Sequence, residues 1–135
     1  DYAGSQGTGN NGAIVYNGSG QNNMITFAGL ADGTANTIVL GEKMLDRRYL
    51  TGFQGDDNEG YTSGWDHDVI RRTDRLPERD TTTKGWGEDR FGSPHPSGFN
   101  ALMGDGSVRN IRYGINAVTF AAMGTRAGGE ATSNE

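Results

Sequence analysis

Residues 91–111 decide the fold, and they read Phe-Gly-Ser-Pro-His-Pro-Ser-Gly-Phe-Asn-Ala-Leu-Met-Gly-Asp-Gly-Ser-Val-Arg-Asn-Ile. Asp105-Gly106 separates two strand-like runs. This is the strongest short-range signal for a β-hairpin, because a type I′ turn needs positive φ at both central residues. Gly104 allows a bulge beside the turn. The prolines on either side of His95 cannot donate to a strand ladder, so His95 is predicted at the entry to the hairpin.

Length and composition predict one domain, residues 1–135, with a thin core. Hydrophobic residues make up 33% of the chain, against roughly 45–50% in ordinary globular domains. The net charge of −5 argues against nucleic-acid binding, which needs a basic face. The lack of cysteine excludes disulfides and thiolate metal sites. No apolar run is long enough for a membrane span. A first residue Asp1 is expected of a processed or incomplete chain.

The rest of the chain predicts a mainly β, α+β fold: an antiparallel sheet with long loops and one short C-terminal helix. Apolar runs at residues 13–16, 24–27 and 37–40 predict strands, the last of them central. Residues 116–124 predict a helix with Asn at its N-cap and a final Gly in the left-handed conformation. A helix this short is marginal alone, so it must pack on the sheet.

Residues 46–90 are charged and threonine-rich, with no periodic apolar face. They are predicted to form a long surface loop, pinned by Trp65 and Trp86. Asp66 and Asp68 would share one face of a strand, with Trp65 beside them to stack on a sugar. A paired-carboxylate glycosidase, a sugar-binding patch and a purely structural loop all fit this pattern.

The same segment holds candidate metal ligands. Calcium takes oxygen ligands from carboxylates, amides and main-chain carbonyls. The side chains that offer them are Asp56, Asp57, Asn58, Glu59, Asp66 and Asp68. The twelve-residue calcium-loop pattern is incomplete, and a polar exposed loop explains the same residues. Zinc would need both histidines, His67 and His95, with carboxylates.

Ser93, His95 and Asp105 supply the residue types of a hydrolase triad. No sequence feature places them within hydrogen-bond reach, and there is no nucleophile elbow. We expect instead that His95 fastens the hairpin to the loop before it, through a backbone carbonyl or a carboxylate. Asn17 begins a glycosylation sequon, which is relevant if the protein is exported.

Three ordered motifs resemble a known family. The chain looks like the C-terminal part of the prepilin-like proteins, typical of planctomycete-type bacteria, that begin with a prepilin-type cleavage/methylation segment and end in a His–nine residues–Asp-Gly motif. The similar stretches are residues 32–42, 91–109 and 125–130. Their motif residues are Asp32, Gly33, His95, Asp105, Gly106, Gly128, Gly129 and Glu130.

The resemblance implies an exported protein with a pilin-like β-sheet head, located outside the cell or at its surface. The N-terminal apolar helix of the family is absent from these 135 residues. The implied function is a structural subunit of a pseudopilin-like filament or surface polymer. It would self-associate through strand edges or its extended N-terminal segment, with glycans or surface components as further partners. No catalytic residues carry over, so no enzyme activity is expected. A calcium- or carbohydrate-binding module is the alternative, and a hydrolase is a remote one.

Overall fold

A computed structural model describes residues 1–18, 24–83, 85–87 and 89–128 of the protein. The strands are β1 (Tyr2–Ser5), β2 (Ile38–Glu42), β3 (Ile70–Arg71), β4 (Gly98–Met103) and β5 (Val108–Arg112). Short 3₁₀ helices lie at Phe27–Gly29, Arg47–Tyr49 and Tyr61–Ser63, and the one α-helix of the described ranges, α1, is Ala117–Gly124. The fold is therefore mainly β with a short C-terminal helix, as the sequence predicts.

β4 and β5 form the predicted antiparallel hairpin, paired from Gly98–Arg112 at its open end to Leu102–Val108 beside the turn. Within the turn only Gly106 has a positive φ, 85°. The type I′ prediction, which requires Asp105 to share that conformation, is therefore wrong. Residues 104–106 form a longer loop, so the left-handed position falls on a glycine, where it costs least.

The five strands form one mixed sheet in the order β3-β1-β2-β4-β5. The pairs β1–β2, β2–β4 and β4–β5 are antiparallel, whereas β1 and β3 are parallel. β1 lies between β3 and β2, so Tyr2–Ser5 already belongs to the molecule's own sheet. The expectation of an N-terminal segment free to join a neighbouring sheet is wrong for these residues, because they would have to leave two strand partners.

α1 covers one face of the sheet through an aromatic core. Phe120 meets Phe91 and Phe99 edge to face, with ring centroids 6.4 and 6.1 Å apart, while Phe91 stacks on Phe99 at 5.5 Å. All three side chains are fully buried. Gly41 of β2 leaves space for this packing, since a Cβ there would lie 2.7 Å from Phe91 and 2.9 Å from Phe99.

The N-cap of α1 is confirmed, but the predicted role of Gly124 is wrong. The Asn116 carboxamide oxygen accepts from the amides of Val118 and Thr119 at 2.9 and 3.3 Å. Gly124 is the last helical residue and has no positive φ. A Cβ at Gly124 would overlap the Thr73 hydroxyl, so glycine is required there for close approach rather than for a left-handed turn.

Two of the three predicted strands in the first 40 residues are wrong. Residues 13–16 form a loop that folds back onto β1, where the Ile14 amide donates to Ser5 O at 3.0 Å and the Ile14 side chain covers Gly4. Residues 24–27 are irregular and lead into a 3₁₀ helix. Ile14 is apolar because it packs across β1, not because it extends the sheet. The third prediction is confirmed by β2.

The prediction that residues 46–90 run wholly over the surface is also wrong. β3 joins the sheet, and the charged side chains of Asp46, Asp56 and Arg71 are buried. Their burial depends on ion pairs and hydrogen bonds with distant parts of the chain. The periodicity of apolar residues in a sequence does not predict the burial of charged side chains.

Candidate functional site

The Asp32-Gly33 motif and the C-terminal motif meet in space. The Asp32 Oδ2 atom accepts from the Gly128 amide at 2.7 Å and from the Thr125 hydroxyl at 3.4 Å. The Asp32 amide donates to Arg126 O at 3.2 Å, and Gly33 takes a φ of 97° in the turn that follows. Gly129 and Glu130 lie outside the described residues. The described part of both motifs therefore joins the turn before β2 to the chain after α1.

The hairpin tip is fastened to the same turn. The Gly104 amide donates to Thr37 O at 2.9 Å, and the Asp105 amide donates to Thr34 O at 3.0 Å. The Asp105 Oδ1 atom accepts from the hydroxyl and the amide of Ser107 at 2.6 and 2.9 Å. These bonds lower the pKa of the Asp105 carboxyl, the hydroxyl bond most. Asp105 thus closes the turn, and its chemistry is accounted for by that role.

His95 lies at the opposite end of β4, just before Gly98. Its Nε2 atom is 3.5 Å from Oε1 of Glu42 on β2, and Glu42 Oε2 accepts from the Asn100 amide at 2.7 Å. The Tyr113 hydroxyl donates to His95 O at 3.1 Å. The imidazole, which is half exposed, thus contacts a carboxylate on the neighbouring strand rather than the loop before the hairpin. The nine residues that separate His95 from Asp105 comprise the strand β4 and the few residues on either side of it.

The triad residues Ser93, His95 and Asp105 are not brought together. The Ser93 side chain is buried, and its hydroxyl donates to Gly98 O at 2.9 Å and lies 3.0 Å from the Tyr113 hydroxyl. Asp105 lies beyond the far end of β4, which at about 3.3 Å per residue is many ångströms away. The arrangement offers no hydrogen-bonded nucleophile and base.

Two of the predicted calcium ligands are already paired with buried cations. Asp56 Oδ2 is 2.8 Å from Arg71, and Asp57 Oδ1 is 2.6 Å from Lys43 Nζ. Lys43 Nζ also donates to the main-chain carbonyls of Asp56 and Asp68, at 3.0 and 2.7 Å. These contacts make Asp56 and Asp57 part of the polar core of this region, where they neutralise buried positive charge.

Glu59, Asp66 and Asp68 remain as a group that could hold a cation, with one carboxylate oxygen of each within 4.8 Å of the others. Asp68 is buried, and its Oδ1 accepts from the amides of Asn58 and Glu59 at 2.8 and 3.3 Å. Asp66 instead lies 3.2 Å from His67 at the surface. The predicted shared strand face is wrong, because the chain turns here before β3. The two histidines contact different carboxylates, Asp66 and Glu42.

The predicted aromatic anchors are only partly buried. Trp65 meets Tyr16 edge to face, with ring centroids 5.7 Å apart, and Trp86 meets His67 at 5.0 Å. Trp65 is 38% exposed and Trp86 is 49% exposed. Each indole therefore offers ring surface to solvent. Asn17 is exposed as well.

The sheet face opposite α1 carries an apolar stretch near the hairpin turn, next to a polar one that contains Asn100 and Asn110. Side chains alternate along a strand, so Leu102 points away from the face that carries Phe99. Leu102 pairs with Leu40 on β2 and with Val108 on β5, and we call these three residues the outer row. Val108 is 68% exposed. A groove of about 570 Å³ adjoins Leu102, with the exposed Phe27 on its rim.

The outer row is not evident from the sequence pattern. Leu102 is part of a near-continuous apolar run, and such a run does not reveal which face a helix covers. The signal that would have found it is the pairing register, which places Leu40, Leu102 and Val108 side by side.

Comparison with known proteins places the chain in an uncharacterised family. The family model described as "Protein of unknown function (DUF1559)" matches residues 1–117, which is most of the chain, so the protein belongs to that family. No curated protein and no solved structure matches it. Across the described ranges, no helix has the length and apolar character needed to cross a bilayer.

Proposed function

We propose that the protein is a structural subunit of an extracellular or cell-surface assembly, of the prepilin-like type, and that it self-associates through the outer row and the β5 edge. The observation that carries this proposal is the apolar stretch on the sheet face opposite α1. Natural sheets with one solvated face place polar residues there. Here Leu40, Leu102 and Val108 lie side by side on that face, partly exposed at the first two positions and 68% exposed at Val108. Adjoining apolar side chains that remain in contact with solvent mark an interaction surface.

The β5 edge adds a second means of contact. In the antiparallel pairing of β4 and β5, the backbone groups of alternate residues, including Val108 and Asn110, point away from β4. An open edge of this kind can pair with another strand. The opposite edge of the sheet is partly covered, because the Arg72 amide, next to β3, donates to Asp89 O at 2.9 Å.

Edge pairing and face packing have different consequences for assembly. Pairing of β5 with β5 of a second copy uses the same surface twice and closes as a dimer. Growth beyond a dimer needs a further contact, and the outer row supplies an apolar one. Burial of a valine side chain contributes about 1.5–3 kcal/mol, so the loss of Val108 from such a contact is measurable.

The test is sedimentation velocity across a concentration series, with electron microscopy of the native protein. Val108→Asp is the test variant, and Val118→Asp is the matched control. Val118 is similarly exposed, at 75%, but lies on α1 across the sheet. We expect concentration-dependent association of the wild type and of Val118→Asp, and an association midpoint raised by about tenfold or more in Val108→Asp. A wild type that stays monomeric at all concentrations would defeat the proposal, as would equal behaviour of the two variants.

A further inference from the structure

Trp65 stands between two adjoining clefts near the β3 edge. One cleft, of about 280 Å³, is lined by Gln6, Trp65, Asp66, His67, Ile70 and Asp89. The other, of about 420 Å³, shares Gln6 and Trp65 and continues past Tyr16, Asn10 and Arg72. The two clefts together form an elongated surface groove with one indole at its centre, which we call the Trp65 groove.

The groove presents aromatic surface that the protein does not use for its own core. Trp65 is 38% exposed and Tyr16 is 52% exposed, although their rings already meet edge to face. His67 extends the wall, and its ring contacts Trp86. A rigid aromatic ring with one open face provides a large apolar contact at little entropic cost on binding.

The groove also presents polar groups that form no hydrogen bonds with the residues that the structure describes. The backbone of Gln6 is fixed, since its amide donates to Arg71 O at 3.1 Å and its carbonyl accepts from the Gly12 amide at 3.0 Å. Its side-chain amide has no hydrogen-bond partner among the residues that the structure describes. The Asp89 carboxylate accepts no hydrogen bond within the described ranges, and it interacts electrostatically with Arg71 and Arg72.

Asp89 has an unusual backbone conformation. Its φ is 59°, and it is the one non-glycine residue with a positive φ in the part of the chain that the structure describes. Asp is one of the few non-glycine residues that adopt this left-handed conformation readily. Asp89 forms part of the wall of the groove.

We propose that the Trp65 groove binds a carbohydrate chain. A pyranose ring has an apolar C–H face, which fits an exposed indole, and a rim of hydroxyl groups, which fit the Gln6 side-chain amide and carboxylate oxygens with lone pairs to spare. Gln6 supplies both donors and acceptors, whereas Asp66 and Asp89 accept from hydroxyls. The two carboxylates and the net charge of −5 disfavour phosphorylated and nucleic-acid ligands. Two clefts that share Trp65 suit consecutive sugar units better than a single one.

The groove is distinct from the surface proposed for self-association. The groove borders β1 and β3 at one edge of the sheet. The outer row lies on β2, β4 and β5, toward the other edge. The carbohydrate proposal therefore does not rest on the assembly proposal. Substitutions in the groove should leave sedimentation behaviour unchanged, so failure of one proposal is separable from failure of the other.

The test is affinity electrophoresis through gels that contain dextran, laminarin, hydroxyethylcellulose or glycol chitin. We expect at least one polysaccharide to retard the wild type, and Trp65→Ala to raise the Kd for it by about tenfold or more. Asp89→Asn should weaken binding too. It removes the charge and replaces one acceptor oxygen by a donor group, while the backbone is kept because asparagine adopts the left-handed conformation readily. Phe53→Ala, an exposed aromatic outside both clefts, is the control and should bind as the wild type does.

Each result of the electrophoresis either supports or overturns the proposal that the groove binds carbohydrate. Weakened binding of Asp89→Asn, with an unchanged urea midpoint, supports the groove even if Trp65→Ala does not fold. Migration of the wild type unaffected by all four polysaccharides overturns the proposal. Retardation of Trp65→Ala and Asp89→Asn equal to that of the wild type overturns it as well, as does an equal loss in Phe53→Ala.

Discussion

The buried pair of Arg71 and Asp56 gives the sharpest prediction about stability. Arg71 and Asp56 are 0% and 1% exposed, with Arg71 NH2 2.8 Å from Asp56 Oδ2. The Arg71 guanidinium also donates to Arg90 O at 3.2 Å and to Met44 O at 3.4 Å. Asp56 Oδ2 accepts from the Gly87 amide at 2.6 Å. The pair therefore connects β3 to three separate loop segments.

Asp56→Asn keeps the size of the side chain and removes its charge. The Arg71 charge then stays buried without its hydrogen-bonded carboxylate, in surroundings where burial already lowers the pKa of Arg71. Breaking a buried pair in this way costs about 3–5 kcal/mol. We expect a loss of that size in the free energy of unfolding, measured in urea by tryptophan fluorescence.

The chain provides a matched control one residue along. Arg72 and Asp74 form the same kind of pair, but their side chains are 29% and 35% exposed. Exposed pairs contribute about 0–1 kcal/mol, so Asp74→Asn should have a small effect. If Asp56→Asn costs no more than Asp74→Asn, the reasoning about burial is refuted.

A double variant separates charge burial from packing. Among the residues that the structure describes, Asp56 Oδ1 and Arg71 Nε have no hydrogen-bond partner, so the buried pair is imperfectly satisfied. Replacement of a buried pair by apolar residues of similar volume is often neutral or stabilising. We expect Asp56→Leu with Arg71→Met to be more stable than Asp56→Asn alone. A double variant less stable than the single one would show that the hydrogen bonds to the loops, rather than the charges, dominate.

Two further predictions concern single side chains. Burial raises the pKa of the Asp80 carboxyl, so the folded protein holds this proton more tightly than the unfolded chain, and stability is lost as pH rises through the folded pKa. Asp80→Asn should therefore raise the urea midpoint at pH 7 but not at pH values below about 3.9, the ordinary Asp pKa; an unchanged midpoint at pH 7 contradicts this. Gly41→Ala should cost about 1–3 kcal/mol by overpacking, because its Cβ would press on the stacked rings of Phe91 and Phe99. Gly52→Ala, with open space around it, is the control, and equal urea midpoints for the two variants would disprove the overpacking.

Predictions from local pattern succeeded where local forces decide. The β4–β5 hairpin, the strand β2 and the Asn116 cap each depend on residues close in sequence. The predictions at residues 13–16 and 24–27 failed for different reasons. The first run packs against β1, and this contact covers the Ile14 side chain without sheet pairing. In the second run Met24 and Phe27 are 78% and 77% exposed, so the apolar alternation there does not correspond to burial.

The sequence predicted less about the candidate sites than about the fold. The residue types at Asp56, Asp66 and Trp65 indicated polar and aromatic surface, but not which carboxylates are neutralised. Lys43 and Arg71 reach Asp57 and Asp56 from distant positions in the chain, and no spacing rule predicts such pairs. The Trp65 groove depends in the same way on Gln6 and Asp89, which are far apart in sequence.

The sequence alone determined the hairpin at residues 91–111, because turn geometry and alternation are properties of neighbouring residues. It also determined that the sheet would be the main element and that a short helix would follow. Only the tertiary structure decided that Asp32 meets Gly128, that His95 contacts Glu42 and that the outer row lies open. Those outcomes depend on which distant segments pack together, and packing is decided by the shape and charge of the whole chain at once.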